Sequence, residues 1–378
     1  MKKVIVFLTA LFFLFFCGIN VCAETINNSV ADELNIDTNE IGDALPPEVS
    51  EYIDEHNLTV DDTEMMTAIT PKEVFEYIWQ TFTDKLSYPL KVLASLICII
   101  VISAVINGMG DSVCNKSLEK IYGMICVLIA VGIIVKPISR CIDLVADTLY
   151  SGSDFMIGYV PVFAGITASA GGITSAVAYN TVVLLVAEAA VQIAANYIMP
   201  AMSICMALGI IEAVNPSFNL TSLTEAITKA VKFILGFIMT VFIGLLSLQS
   251  IIGASADTIG VKAAKYLASN CIPVVGSAVA DAYTTLKASL GILRGGVGFF
   301  GVTAIFLTVM PSIAEILIMR FVFTAAEIAG DIFGVKHIKT LLKNSSNILS
   351  LMFSLLICFS MMLIISTAIL MMIGLDIA

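Results

Sequence analysis

From about residue 89 to the end, the chain alternates long apolar runs with short polar breaks. A helix rises ~1.5 Å per residue, so ~20 consecutive apolar residues cross the hydrocarbon core of a bilayer. Residues 92–106, 121–135 and 233–252 are clear spans, and 348–375 is the longest run, uncharged until Asp376. Residues 155–166 form a shorter run that leads into small residues. Residues 181–199 and 201–214 are separated by Pro200 and read as two spans or as one kinked pair, and 297–310 runs into Pro311 with 313–323 continuing after it. The pattern predicts an all-α fold over residues 89–378, a polytopic transmembrane helix bundle with about seven or eight spans.

The segments before the bundle read differently. Residues 1–23 have the plan of a signal peptide: Lys2 and Lys3, an apolar stretch over 4–16, then Val21, Cys22 and Ala23 before a cut. A lipoprotein signal or an uncleaved extra span are the alternatives. Residues 24–70 hold 13 acidic residues and no Lys or Arg. They read as an acidic extracytoplasmic segment, mobile or weakly folded. Residues 71–88 read as an amphipathic interfacial helix. Pro71 sits in its first turn, and Glu73 follows Thr70 at the capping-box spacing. Val74, Tyr77, Ile78 and Phe82 share a face, and Trp79 and Tyr88 suit a membrane interface.

Composition narrows the classes. Hydrophobic residues make up 58% of the 378 and charged residues 13%, against about 45–50% and about 25% in soluble domains. That excludes an ordinary soluble enzyme. The net charge of −11 arises in the acidic segment, because residues 71–378 carry 17 acidic and 17 basic side chains. Nucleic-acid and anionic-lipid binding need Lys/Arg clusters, which the chain lacks.

One charge pair does not fit the simplest topology. With a secreted N-terminus, Lys136 and Arg140 follow the second span on the side that the positive-inside rule disfavours. Residues 136–154 are therefore expected to lie along the interface. Ile142, Val145, Ala146 and Leu149 form one helical face, with Asp143 and Asp147 beside it.

Two polar stripes are the candidate sites. Asn180, Glu188, Gln192 and Asn196 follow one another at spacings of eight, four and four. The last three share a helix face and Asn180 lies toward its edge. An ionisable group inside a bilayer usually faces protein or water, so this stripe reads either as a conduction path centred on Glu188 or as static interhelical hydrogen bonding. Arg320, Thr324, Glu327 and Asp331 form the second stripe, at spacings of four, three and four. It reads as a charged stripe in which Arg320 and Glu327, two turns apart, pair through neighbours, or as an interfacial helix whose charges snorkel outward. Glu315 is off that face. Residues 253–301, rich in glycine, are expected as an irregular insertion lining a cavity, or as a solvent-side loop carrying two surface helices.

Other chemistry is absent from the pattern. The nine cysteines are scattered without a CxxC pair and read as small buried hydrophobes. No P-loop, GxSxG or HExxH motif occurs. The expectation is no enzyme activity, no cofactor and no metal. Any ATP-driven work belongs to another chain.

Two segments carry a family resemblance. Ala168-Ser-Ala-Gly-Gly-Ile-Thr-Ser-Ala176 and Ser247-Leu-Gln-Ser-Ile-Ile-Gly-Ala-Ser-Ala256 resemble the stage III sporulation protein AE family of endospore-forming bacteria, and the likeness continues through Asp257-Thr-Ile-Gly260, Lys262-Ala-Ala-Lys265 and Ile272-Pro-Val-Val-Gly276. The resemblance implies a multi-pass protein of the mother-cell membrane around the forespore. It implies membership of the channel or secretion-like complex of stage III sporulation proteins AA to AH, which meets stage II sporulation protein Q. The implied role is a permease-like or platform component, with AA as the ATPase-like partner and no catalytic residues. Self-association stays open. The alternative is a stand-alone secondary transporter of a small solute, with its path around Glu188.

Overall fold

The computed structural model describes residues 45–46, 49–50, 71–113, 116–215, 218, 220–271 and 276–372. The signal-peptide reading of residues 1–23 lies outside them, as does the proposed cap at Thr70. Among the described residues there is no strand. The helices are α1 (Pro71–Asp84), α2 (Ser87–Val113), α3 (Lys116–Ser169), α4 (Ile173–Ile193), α5 (Met199–Val214), α6 (Thr221–Cys271), α7 (Gly276–Ile332) and α8 (Lys336–Met372). The protein is an all-α bundle, and among the described residues six continuous helical segments are long and apolar enough to cross a membrane.

The runs on either side of Pro200 form one segment, as the kinked-pair reading expects, and runs parted by polar breaks merge as well. α3 runs unbroken through Pro137 and Pro161, and α7 through Pro311. Proline removes one helical N–H, and packed neighbours or a local change of pitch take up the loss. Pro200 shows the second device. The π-turn Ala194–Ile198 widens the helix just before it, which relieves the crowding of the proline ring against the Asn196 carbonyl one turn back. α4, the π-turn and α5 thus form one segment, Ile173–Val214. This brings the candidate spans to six, close to the seven or eight expected.

Two sequence readings change here. Residues 136–154 are the middle of α3 and not a separate interfacial segment. Their predicted face still packs inward: Val145 and Leu149 are buried while Asp143 and Asp147 are exposed. The glycine-rich stretch 253–301 is regular helix on both sides of residues 272–275, split between α6 and α7. Gly253, Gly298 and Gly301 serve close helix contact instead of irregular backbone. In the acidic segment, Val49 is buried against the bundle.

α7 and α8 form the centre. Some 61% of the most apolar window in each is buried, against 22–33% in the other four segments. A turn links them, with Gly334 at φ 70°. Gly334 N–H donates to Asp331 O and Val335 N–H to Gly330 O, the paired bonds of a glycine-ended helix. The α3–α4 turn repeats the device: Gly171 has φ 92°, its N–H donates to Ala168 O, and Gly172 N–H donates to Thr167 O. Both turns need a residue that accepts positive φ without strain.

A buried aromatic run ties α3 to its neighbours. Phe155 stacks on Tyr159 at 5.2 Å, Tyr159 meets Phe163 at 5.3 Å, and Phe163 meets Tyr179 of α4 edge-on at 6.4 Å. The Tyr159 hydroxyl donates to Val297 O of α7 at 3.1 Å. α7 can approach that closely because position 301 is glycine; a Cβ there would overlap the Tyr159 ring. Gly301→Ala is therefore expected to destabilise the protein by about 1–3 kcal/mol, the range for overpacking a core. Gly244→Ala is the control, since a Cβ there meets nothing within 4 Å; it should be neutral or stabilise α6 by up to about 1 kcal/mol. Thermal unfolding of the two variants in the same detergent checks the contrast.

Candidate functional site

The first stripe divides. Glu188, Gln192 and Asn196 form a hydrogen-bonded ladder along one face: Gln192 Nε2 donates to Glu188 Oε1 at 2.8 Å, and Asn196 Nδ2 donates to Gln192 Oε1 at 3.0 Å. All three side chains are exposed on the outside of the bundle. Asn180 is not in the ladder. It is half-buried, and its Oδ1 is buried without a hydrogen-bond partner. The ladder sits mid-segment, with 15 residues (173–187) before it and 18 (197–214) after it in Ile173–Val214. Above and below, the same outer surface is apolar, with Val177, Leu185, Ile204 and Ile211 exposed. The result is a polar belt on an otherwise oily face.

The second stripe lies along the α7–α8 hairpin. Thr324 Oγ1 donates to Arg320 O at 2.9 Å and lies 3.2 Å from Ser346 Oγ of α8. Lys339 Nζ of α8 donates to Asp331 Oδ1 at 2.5 Å. Arg320 and Glu327 are half-buried between these contacts. Exposed ion pairs of this kind contribute little, about 0–1 kcal/mol, so the seam sets the register of the hairpin more than its stability.

Sequence spacing missed two sites. Glu315, set aside as off the second stripe, is buried in α7 with its side chain 4% exposed. Arg140 Nε of α3 approaches its Oε1 at 3.1 Å, and Lys85 Nζ, from the turn between α1 and α2, approaches Oε2 at 3.9 Å. The Arg140 guanidinium also lies over the Tyr88 ring, 4.7 Å from its centroid. This places Arg140 beside a buried carboxylate and so explains its poor fit to the charge rule for loops. The signal in the sequence was a lone acid inside the apolar run 297–323.

The second missed site joins the two segments that carried the resemblance. Asp257 of α6 is buried. Its Oδ1 accepts Thr174 N–H at 2.8 Å and its Oδ2 accepts Ser175 N–H at 3.0 Å. Gly172, at the N-cap just before α4, has no side chain to cap the helix. A carboxylate from another helix supplies the cap and also meets the positive end of the helix dipole. Gly253, one turn before Asp257, lets α6 reach this close: a Cβ there would lie 2.6 Å from Ser175 Oγ and 2.9 Å from Ser175 Cα.

Other polar contacts are dispersed. Thr148 and Ser312 hydroxyls pair at 2.6 Å between α3 and α7, and Arg294 donates to Met371 O, near the end of α8, at 3.3 Å. Cys126, Cys141 and Cys205 are buried, Cys358 is half-buried and Cys98 exposed. A crevice between α3, α4, α6 and α8 is apolar, lined by residues such as Leu149, Ile198, Leu235 and Phe359. None of these connects the ladder to the interior.

The sequence pattern of stage III sporulation protein AE matches residues 56–374. The chain belongs to that family. A curated relative, stage III sporulation protein AE of Bacillus subtilis (strain 168), is 21% identical over 260 residues, 68% of this chain and 65% of that protein. The chain thus spans just under two thirds of that relative's length. No solved structure matches. Family membership makes this a sporulation protein, and the six long apolar helices among the described residues make it a membrane protein.

Proposed function

We propose that the chain is an integral subunit of the channel-like complex between mother cell and forespore, required for forespore development. It sits in the mother-cell membrane as a platform or permease-like component. Its neighbours are other stage III sporulation proteins of the AA to AH set, together with stage II sporulation protein Q. It carries no catalytic centre, and AA supplies ATP-driven work. Family membership supports the setting.

The observation that favours an assembly subunit over a stand-alone transporter is the direction of the Glu188 ladder. A transporter of one chain turns its mid-span polar groups toward its own interior or a water-filled cavity. Here Glu188, Gln192 and Asn196 face outward, and the crevice on the inner side is apolar. Polar groups at the outer surface of a bundle are matched by a neighbour.

The test has two arms. A tagged chain isolated from sporulating-cell membranes is expected to bring down other stage III sporulation proteins. The purified chain in proteoliposomes is expected to show no solute flux alone. Glu188→Ala should lower spore yield and partner capture together. A variant that keeps full partner capture but makes no spores would move the reading to a path, and flux from the chain alone would replace the platform with a transporter.

A further inference from the structure

We propose that the Glu188–Gln192–Asn196 ladder is the contact face between two copies of this chain. This deepens the assembly reading by naming the ladder's occupant. The first argument is what the ladder leaves unmade. A carboxylate is an acceptor at both oxygens, and an amide group has two N–H donors and an acceptor oxygen. Within one chain, Glu188 uses Oε1, Gln192 uses one N–H and its Oε1, and Asn196 uses one N–H. Left over are Glu188 Oε2, one N–H each on Gln192 and Asn196, and Asn196 Oδ1. The remainder is one matched set of acceptors and donors, so a second copy of the same face satisfies it.

Membrane geometry supports the same occupant. Two copies inserted alike are related by an axis along the membrane normal, so each residue of α4 meets its own counterpart at the same depth, as an isologous contact requires. Asn196 then faces Asn196 of the second copy, and their amides pair reciprocally. Glu188 faces the second copy's Glu188, but one helical turn away lies its Gln192, whose spare N–H reaches the free carboxylate oxygen. Symmetry makes that bond twice. The two carboxylates are thus separated by amide donors.

The composition of the face is the second argument. Along α4 and α5 the exposed surface is apolar at Val177, Leu185, Ile204 and Ile211 and polar at Glu188, Gln192 and Asn196, and mid-span polar groups of this kind join helices in lipid. α6 exposes Phe233, Phe237, Leu248 and Ile252 beside small residues such as Gly236 and Gly244, and its exposed mid-span Thr240 hydroxyl is spent on its own Gly236 carbonyl. What sets the α4 face apart is the ladder itself, whose carboxylate and amides keep unused hydrogen-bonding atoms in the middle of an apolar surface.

The experiment is site-specific photo-cross-linking in cells that make this chain and no other stage III sporulation protein. A photoreactive side chain at Asn196 is expected to yield a band at twice the mass of one chain. The same group at Phe237, on the exposed surface of α6, is expected to yield none. Two differently tagged copies should co-isolate, and Gln192→Leu should weaken that association about tenfold by removing both symmetric bonds. Leucine on an outward face leaves the core untouched, so the variant should remain folded, and the cross-link at Asn196 does not depend on it. An Asn196 product that stays at the mass of one chain overturns the proposal. So does an equal yield from Phe237, or unchanged co-isolation of Gln192→Leu. If tagged copies do not pair alone but each captures other stage III proteins from sporulating cells, the self-contact is wrong while the assembly reading stands.

Discussion

Arg140→Met will destabilise the bundle by about 2–3 kcal/mol, with Glu315 as the cause. Removing one partner of a buried ion pair costs about 3–5 kcal/mol, because the remaining charge is left in a low-dielectric interior. Two features lower the figure here. The Arg140 side chain is half-exposed, and Lys85 remains 3.9 Å from the other carboxylate oxygen. The sign of the explanation is testable by the double variant. Arg140→Met with Glu315→Gln removes the stranded charge and should recover most of the loss. Lys85→Met alone should cost under about 1 kcal/mol, as expected for a long, partly solvated contact. Thermal unfolding midpoints in one detergent should therefore fall in the order Lys85→Met, the double variant, then Arg140→Met lowest. An Arg140→Met midpoint equal to that of the unmodified protein would show that Glu315 is hydrated and not held by the pair.

Asp257→Ala should cost about 3 kcal/mol. The carboxylate accepts two backbone N–H groups at the start of α4. Hydrogen bonds to a charged group contribute about 1.5–3 kcal/mol each, and leaving a buried donor unmatched adds its desolvation cost. The effect should be local first: amide hydrogen exchange at Thr174 and Ser175 should speed up before the rest of α4 responds. Asp257→Asn keeps one acceptor and should fall between. Gly253→Leu should give the same loosened helix start by a different route, since its side chain pushes against Ser175 backbone. If exchange at Thr174 and Ser175 is unchanged in Asp257→Ala, the cap is not what orders this turn.

These two sites also show what spacing along one chain reveals and what it conceals. The helical periodicity over 142–149 correctly separated the buried Val145 and Leu149 from the exposed Asp143 and Asp147. It also grouped Glu188, Gln192 and Asn196 on one face, which the ladder confirms residue by residue. It did not show Glu315 meeting Arg140, nor Asp257 capping α4. Those contacts join residues on different helices, and periodicity reports only the face within one helix. The prolines do not end their helices, for a related reason. Proline breaks helices in water, but a bundle supplies neighbours and pitch changes that carry the helix past it, as at Pro137, Pro161 and Pro311.

The amino-acid sequence alone determined that this is a helical membrane protein, because apolar length and low charge decide whether a segment dissolves in lipid, and both can be counted along the chain. It also determined which residues share a face of each helix, because 3.6 residues per turn is a property of the backbone. The direction each face points was decided only by the tertiary structure. Whether Glu188 looks into the bundle or out of it depends on how α4 is rotated against α3 and α6, and that rotation is set by the packing of Tyr179, Val183, Ala187 and Val191 on the opposite side. A polar stripe has the same spacing in a pore and on a docking surface; packing separates the two.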